Sequence, residues 1–291
     1  MSVVIITGSN NGFGYEGALA FARNGDTVYA SMRDVNKADR LLTAAKSENL
    51  NIHIKALDVT RPETFAAFLQ QVVDEAGRID VLVNNAGIVY PGSLEDVPES
   101  GLRKVMETNF FGPLLLTRAV LPFMRAQGKG MIIMMSSLSG IAGLPGDLPY
   151  SASKFALEGA TECLRHEVDR FGIKVALVEA GMYATSIFDS ALADDAELPA
   201  DYPQDSPYRP LVESKLREVR NSLSKAFHPK IVADVFVQIA QSDGSQLRWQ
   251  ADEVAVHVVA AMFGHDDKGR DDFLRMASGT DWWSEGKNHA E

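Results

Sequence analysis

From residue 3 to about residue 180, short runs rich in β-branched residues alternate with amphipathic stretches of helix length, and this alternation admits few architectures. The runs are Val3 to Thr7, Thr27 to Ser31, Ile52 to Leu57, Asp80 to Asn84, Met131 to Ser136 and Lys174 to Val178. Several are apolar at consecutive positions. A strand with one wet face alternates in polarity, whereas a strand covered on both faces does not. The pattern predicts an α/β chain: a doubly wound parallel sheet of about seven strands in a Rossmann fold, because each crossover between parallel strands lays a helix on one face or the other.

The 291 residues, 46% of them hydrophobic, suffice for one large domain with a substantial core. Residues 1–291 are therefore expected to form a single domain, without repeats or a low-complexity linker. The pattern changes after Gly181. Met182 to Leu211 carries Asp189, Asp194, Asp195, Glu197, Asp201 and Asp205 together with Pro199, Pro203, Pro207 and Pro210. Such a segment is either a solvated insertion or a lid, since long irregular loops in compact domains are usually functional. Residues 182–225 are read as a substrate-binding lid or insertion, with Met182, Ile187, Phe188, Leu192 and Leu198 as its apolar wall. Lys230 to Gln241 and Asp252 to Phe263 read as helices flanking a short strand near Gln246 to Trp249. Residues 264–291 form a charged tail that frays unless Trp282 and Trp283 dock.

Composition narrows the partners. A formal charge of -11 argues against a nucleic-acid backbone as ligand. No apolar stretch reaches the roughly 20 residues needed to span a bilayer. Met1 to Ile6 reads as a buried strand rather than a signal peptide. The lone Cys163 cannot form an intramolecular disulfide. These features predict a cytoplasmic protein acting on a small molecule, with no nucleic-acid or membrane partner, and nothing calls for a metal.

Directly after the first strand comes Thr7-Gly8-Ser9-Asn10-Asn11-Gly12-Phe13-Gly14, and a helical pattern follows to Arg23. Glycines let a backbone approach a pyrophosphate closely, and the free N–H groups and dipole of a helix N-terminus attract the anion. The alternative is an ordinary tight strand-to-helix turn. The second strand ends at Met32-Arg33-Asp34, where a dinucleotide site meets the adenosine ribose. Arg33 could pair with a 2′-phosphate, favouring NADP(H), whereas Asp34 turned inward would select NAD(H).

Leu148-Pro149-Tyr150-Ser151-Ala152-Ser153-Lys154 opens a helical stretch reaching about Arg170. Residues four apart share a helix face, so Tyr150 and Lys154 can point into one cleft. A neighbouring ammonium and an oxidised nicotinamide both favour the phenolate, which makes the tyrosine a general base, or an acid in the reverse direction. Upstream, Ile132 to Ser137 delivers hydroxyls to the carboxyl end of a strand, where open α/β sheets bind ligands.

Taken together, the chain resembles the short-chain dehydrogenase/reductase family in its TGxxxGxG and YxxxK form. The resemblance covers residues 3 to about 185 and rests on the Thr7 to Gly14 turn, Asp58-Val59, Asn84-Asn85-Ala86-Gly87, Asn109, Ser137, and Tyr150 with Lys154. It implies that Ser137 holds the substrate oxygen, that Tyr150 exchanges its proton, and that Lys154 binds the nicotinamide ribose and lowers the tyrosine pKa. Asn109 would anchor a water in a proton relay. Asp58 and Val59 would flank the adenine, Asn85, Ala86 and Gly87 would line the cofactor cleft, and Gly181, Tyr183 and Thr185 would lie in the loop over the nicotinamide. The family usually has Pro-Gly after the sixth strand, whereas here Ala180-Gly181 implies a more mobile loop; Asn11 stands where a basic residue often meets the 2′-phosphate.

Val28 to Asp34 resembles the branch with 17β-hydroxysteroid and retinol dehydrogenases, which suggests a largely apolar secondary alcohol or its ketone as substrate. Two other readings are a catalytically silent dinucleotide sensor and a nucleotide-sugar epimerase. The resemblance also implies a homodimer or homotetramer pairing through Leu102 to Arg125 and Tyr150 to Arg170, with a monomer as the alternative.

Overall fold

The computed structural model describes residues 1–187, 198, 202–223 and 225–288. Its strands are β1 (Val3–Thr7), β2 (Thr27–Met32), β3 (Ile52–Ala56), β4 (Val81–Asn84), β5 (Gly130–Met135), β6 (Ile173–Glu179) and β7 (Arg248–Gln250). They form one sheet in the order β3-β2-β1-β4-β5-β6-β7, every pair parallel. Chain direction across the sheet reverses between β1 and β4. A crevice opens there at the carboxyl ends of the strands, the position where such sheets bind ligands.

The helices are α1 (Gly12–Arg23), α2 (Asp39–Ser47), α3 (Phe65–Ala76), α4 (Glu99–Met106), α5 (Gly112–Gln127), α6 (Leu148–Val168), α7 (Arg209–Leu223), α8 (Lys230–Gln241), α9 (Glu253–Gly264), α10 (Asp267–Ser278) and α11 (Asp281–Ser284). Side chains alternate across the pleat, so each strand feeds two cores. Val4 and Ile6 pack with Leu19 and Phe21 of α1 and Phe236 of α8. Val3 and Ile5 face the other way, against Phe68 and Leu69 of α3, Leu116 and Val120 of α5 and Leu157 of α6. This double burial is why the strands lack polar alternation.

Local sequence then sets the elements that matter for the site. Pro149 lies in the first turn of α6, where its missing N–H has no intrahelical partner to lose, and this places Tyr150 at the helix start. Between α4 and α5 the chain widens into a π-helical stretch, Glu107–Phe111, a form that favours functional positions, and it contains Asn109.

After β6 the structure departs from an irregular reading. Arg209 already begins α7, and Leu198, Tyr202, Val212 and Leu216 bury one another in a small separate core. Phe188 and Leu192 of the expected lid wall lie outside the described residues, as do Asp189, Asp194, Asp195, Glu197 and Asp201. Residues 267–278 and 281–284 of the tail are helical where fraying was the default expectation. Phe273 and Leu274 of α10 pack with Ile141, Ala142 and Met262, and Trp283 lies 6.3 Å from Tyr208 between ring centroids.

Candidate active site

The turn between β1 and α1 is shaped by what its glycines exclude. A Cβ on Gly14 would lie 2.3 Å from the Gly8 carbonyl oxygen and 2.6 Å from Asn85 Nδ2. Gly8 adopts a φ of 69°, in the left-handed region, and a Cβ there would press on Ala86. Thr7 stitches the turn to the chain after β4: its Oγ1 accepts from the backbone N–H groups of Asn85 and Ala86, each at 3.0 Å. Asn85 Nδ2 in turn donates to the Thr7 and Gly8 carbonyls.

Around this turn lies a cavity of about 370 Å³ that runs from Arg33 to Lys154. Of the residues expected from sequence, its wall includes Gly8, Asn10, Asn11, Gly12, Phe13, Arg33, Asp58, Val59, Asn85, Ala86, Gly87, Tyr150, Lys154 and Thr185. Ser9 and Gly14 are not on it. The Ser9 hydroxyl turns into the protein and donates to the Ile6 carbonyl at 3.0 Å, and Gly14 is packed beneath Gly8. Lys37, which sequence reasoning overlooked, lines the cavity beside Arg33. Asp34 does not; its carboxylate accepts from the backbone N–H and side-chain amide of Asn36.

A second cavity of about 230 Å³, mostly apolar, meets the first at Phe13, Met135, Ser136, Tyr150, Thr185 and Ile187. Ser137 lies on it, with its Oγ accepting from the Ser139 backbone N–H. Gly181 and Tyr183 also face this second cavity rather than the first. The loop they belong to is anchored without a proline: Asp252 accepts from the Tyr183 hydroxyl at 2.8 Å and from the Gly181 N–H at 3.3 Å, while capping α9 through the Ala255 N–H. The loop that lacks the proline is thus tied to an acid 71 and 69 residues away in sequence from Gly181 and Tyr183, one that carries only a helix-cap signal.

Asn109 reaches neither cavity. Its Oδ1 accepts from the Ile88 N–H, and its Nδ2 donates to the Ile88 carbonyl and to Ser153 Oγ. The side chain therefore joins the wall at Gly87 and Ile88 to α6 rather than presenting a free polar group.

Tyr150, Lys154 and Glu158 succeed one another at spacings of four along α6. Lys154 is buried, and its Nζ donates to the Met135 carbonyl at 2.7 Å and stands 5.5 Å from the Tyr150 ring centroid. Burial pulls the ammonium down to about 8, opposed by the Glu158 carboxylate. Glu158 is itself pushed up to about 7 by burial, against the favourable influence of Ser136 and Arg248. Desolvation raises the Tyr150 phenol well above its ordinary value, Ser137 opposes this through a hydrogen bond, and the Asp147 charge adds to it. In the protein alone the net shift of the phenol is therefore upward, which favours its neutral form.

The chain matches the short chain dehydrogenase family over residues 2–196. It is 41% identical over 240 residues to the uncharacterized oxidoreductase YusZ of Bacillus subtilis, covering 82% of this chain and 84% of that one. It is 36% identical over 253 residues to retinol dehydrogenase 8 of Bos taurus, covering 84% and 80%. Among solved structures, a short-chain dehydrogenase from Streptomyces avermitilis superposes with a TM-score of 0.76 at 33% identity, covering 96% of this chain and 98% of that one. The chain belongs to the short-chain dehydrogenase/reductase family and is an NAD(P)-dependent oxidoreductase.

The first cavity fits the dinucleotide this family requires. Its glycine cradle leaves no room for a Cβ, the start of α1 supplies the anion-attracting helix terminus, and the wall carries cations at one end and Lys154 at the other.

Proposed function

We propose that this enzyme interconverts a secondary alcohol and its ketone on a largely apolar substrate, with NADP(H) as cofactor and Tyr150 as the proton-exchanging group. The observation that carries the reading is the junction of the two cavities, where a polar dinucleotide cleft and an apolar chamber share the Tyr150 side chain. The bound nicotinamide supplies or accepts the hydride. Ser137 donates a hydrogen bond to the substrate oxygen, and Tyr150 gives that oxygen a proton in reduction or takes one in oxidation. Lys154 holds the nicotinamide ribose. Asn109 acts as a positioning residue, since its amide fixes Ile88 and Ser153.

Arg33 and Lys37 support the phosphorylated cofactor: two cations line the adenosine end, while the one acid that could select a free ribose, Asp34, is engaged by Asn36. A small apolar substrate is supported by the second cavity and by likeness to a retinol dehydrogenase. A cytoplasmic setting suits the exposed lone thiol of Cys163, and no helix among the described residues is long and apolar enough to cross a membrane. Residues 182–225 serve as the substrate lid in this reading.

Tyr150→Phe should lower turnover about a hundred- to ten-thousandfold, the range of general acid–base catalysis, with NADPH affinity preserved. Undiminished turnover sinks the mechanism. Arg33→Ala should weaken NADPH about tenfold or more while barely moving NADH, as expected for loss of a charge-assisted contact. Equal effects on both cofactors would remove the case for NADP(H).

A further inference from the structure

The apolar chamber contains a polar corner that the hydride chemistry does not use. Asp147 precedes α6 at the position where an acid normally accepts from a helix amide. Its side chain makes no such cap bond. Instead Oδ2 accepts from Ser139 Oγ at 3.2 Å, and the residue is half-buried. The carboxylate sits on the chamber wall, three residues before Tyr150 and close enough for its charge to be felt by the phenol.

Lys215 of α7 lines the same chamber. The Gly146 position lies under this residue, since a Cβ there would be 3.8 Å from Lys215 Cβ. The ammonium finds only a distant partner in Glu218, at 3.8 Å, although its side chain is 16% exposed. It makes no ion pair with Asp147 within 4.0 Å, yet each lies within electrostatic range of the other. A carboxylate and an ammonium that make no ion pair with each other thus border one chamber otherwise walled by residues such as Val89, Leu144, Met182 and Leu216. Charged groups on the wall of an apolar site favour a ligand that offers hydrogen-bonding partners to both.

We propose that Asp147 and Lys215 together bind a second hydroxyl group of the substrate, so that the preferred substrates are hydroxyketones and the corresponding diols with an apolar body. A hydroxyl donates to the carboxylate and accepts from the ammonium at once. A charged amine or carboxylate would be attracted by one of the pair and repelled by the other, whereas a neutral hydroxyl suits both. Ser139 holds Asp147 in place through its hydroxyl. The inference rests on the proposed alcohol–ketone chemistry and specifies its substrate class.

The test compares steady-state reduction, with NADPH, of medium-chain methyl ketones and of their α- and β-hydroxy counterparts. Wild type should prefer at least one hydroxyketone about tenfold or more in kcat/KM, the size of a hydrogen bond to a charged group. Asp147→Leu and Lys215→Met should each lower kcat/KM for the hydroxyketone at least tenfold more than for the plain ketone, chiefly through KM. Thermal melting and NADPH titration of both variants identify one that fails to fold, and the other then decides. Equal use of both substrate types by wild type overturns the inference while leaving the proposed chemistry intact. So does an equal loss on both types in a folded variant. Reduction of neither type by a protein that binds NADPH removes both readings.

Discussion

At Tyr150 opposing influences act on one hydroxyl. Desolvation and the Asp147 carboxylate favour the neutral phenol, and the Ser137 hydrogen bond favours the phenolate. A neutral phenol is an acid ready to protonate a ketone, so reduction should proceed at neutral pH and alcohol oxidation should rise with pH. In Asp147→Asn the loss of a nearby negative charge lowers the phenol pKa, and the rising limb of the oxidation profile should move to lower pH. An unmoved limb would separate Asp147 from the proton chemistry. Gly14 sets a steric limit of similar sharpness. Gly14→Ala drives a methyl into the Gly8 carbonyl and Asn85, which should destabilise the fold by about 1–3 kcal/mol and weaken cofactor binding, as read by melting and by NADPH titration. Both residues were legible in the sequence because their motifs are local. Asp147 and Lys37 were not, since nothing in a single Asp or Lys says that it borders a cavity.

Among the elements, α6 and α9 position the site in different ways. The spacing of four in α6 places Tyr150, Lys154 and Glu158 on one face by helix geometry alone, and sequence reveals this directly. The loop after β6 depends instead on a tertiary contact with the start of α9. Asp252 holds Gly181 and Tyr183 while capping its own helix. Asp252→Ala should cost about 1–2 kcal/mol for the cap alone. It should also raise KM for substrate, because Gly181 and Tyr183 wall the chamber. Stability loss without any change in KM would show that the anchor does not reach the substrate. The π-helical stretch at Glu107–Phe111 belongs to the same scale: Asn109 matched a motif, but only the backbone widening and the Ile88 contacts show that its amide fixes the cleft wall from behind.

Across the whole molecule, the buried acids shape the response to pH. Glu158 rises from 4.5 to about 7 in the fold, with Arg248 spanning it and Glu179. Between those values Glu158 is more protonated in the folded protein than in the unfolded chain, so its contribution to stability falls as pH rises through the window. The change is up to about 3 kcal/mol by the free energy of a pKa unit. Glu158→Gln removes this proton, and its melting temperature should decline less than that of wild type between pH ~4.5 and ~7. Parallel declines would place the titration elsewhere. Assembly belongs to this scale too: Phe111, at the end of the π-helical stretch, and Phe155 of α6 are 43% and 42% exposed. A homodimer or homotetramer that covers them is the expected species, and light scattering should find a mass at least twice the 31.7 kDa of one chain.

The sequence by itself determined the alternation of doubly buried strands and helices, the glycine turn and the Tyr150–Lys154 face, because each is written in short-range spacing. It missed the helical order of the tail and the early start of α7. Only the tertiary structure brought together Arg33 with Lys37, Asp252 with the loop after β6, and Asp147 with Lys215. Asp252 with its loop and Asp147 with Lys215 are distant in sequence, and Lys37 gains its meaning from the cavity it borders; neither proximity in space nor a cavity wall is encoded in local spacing.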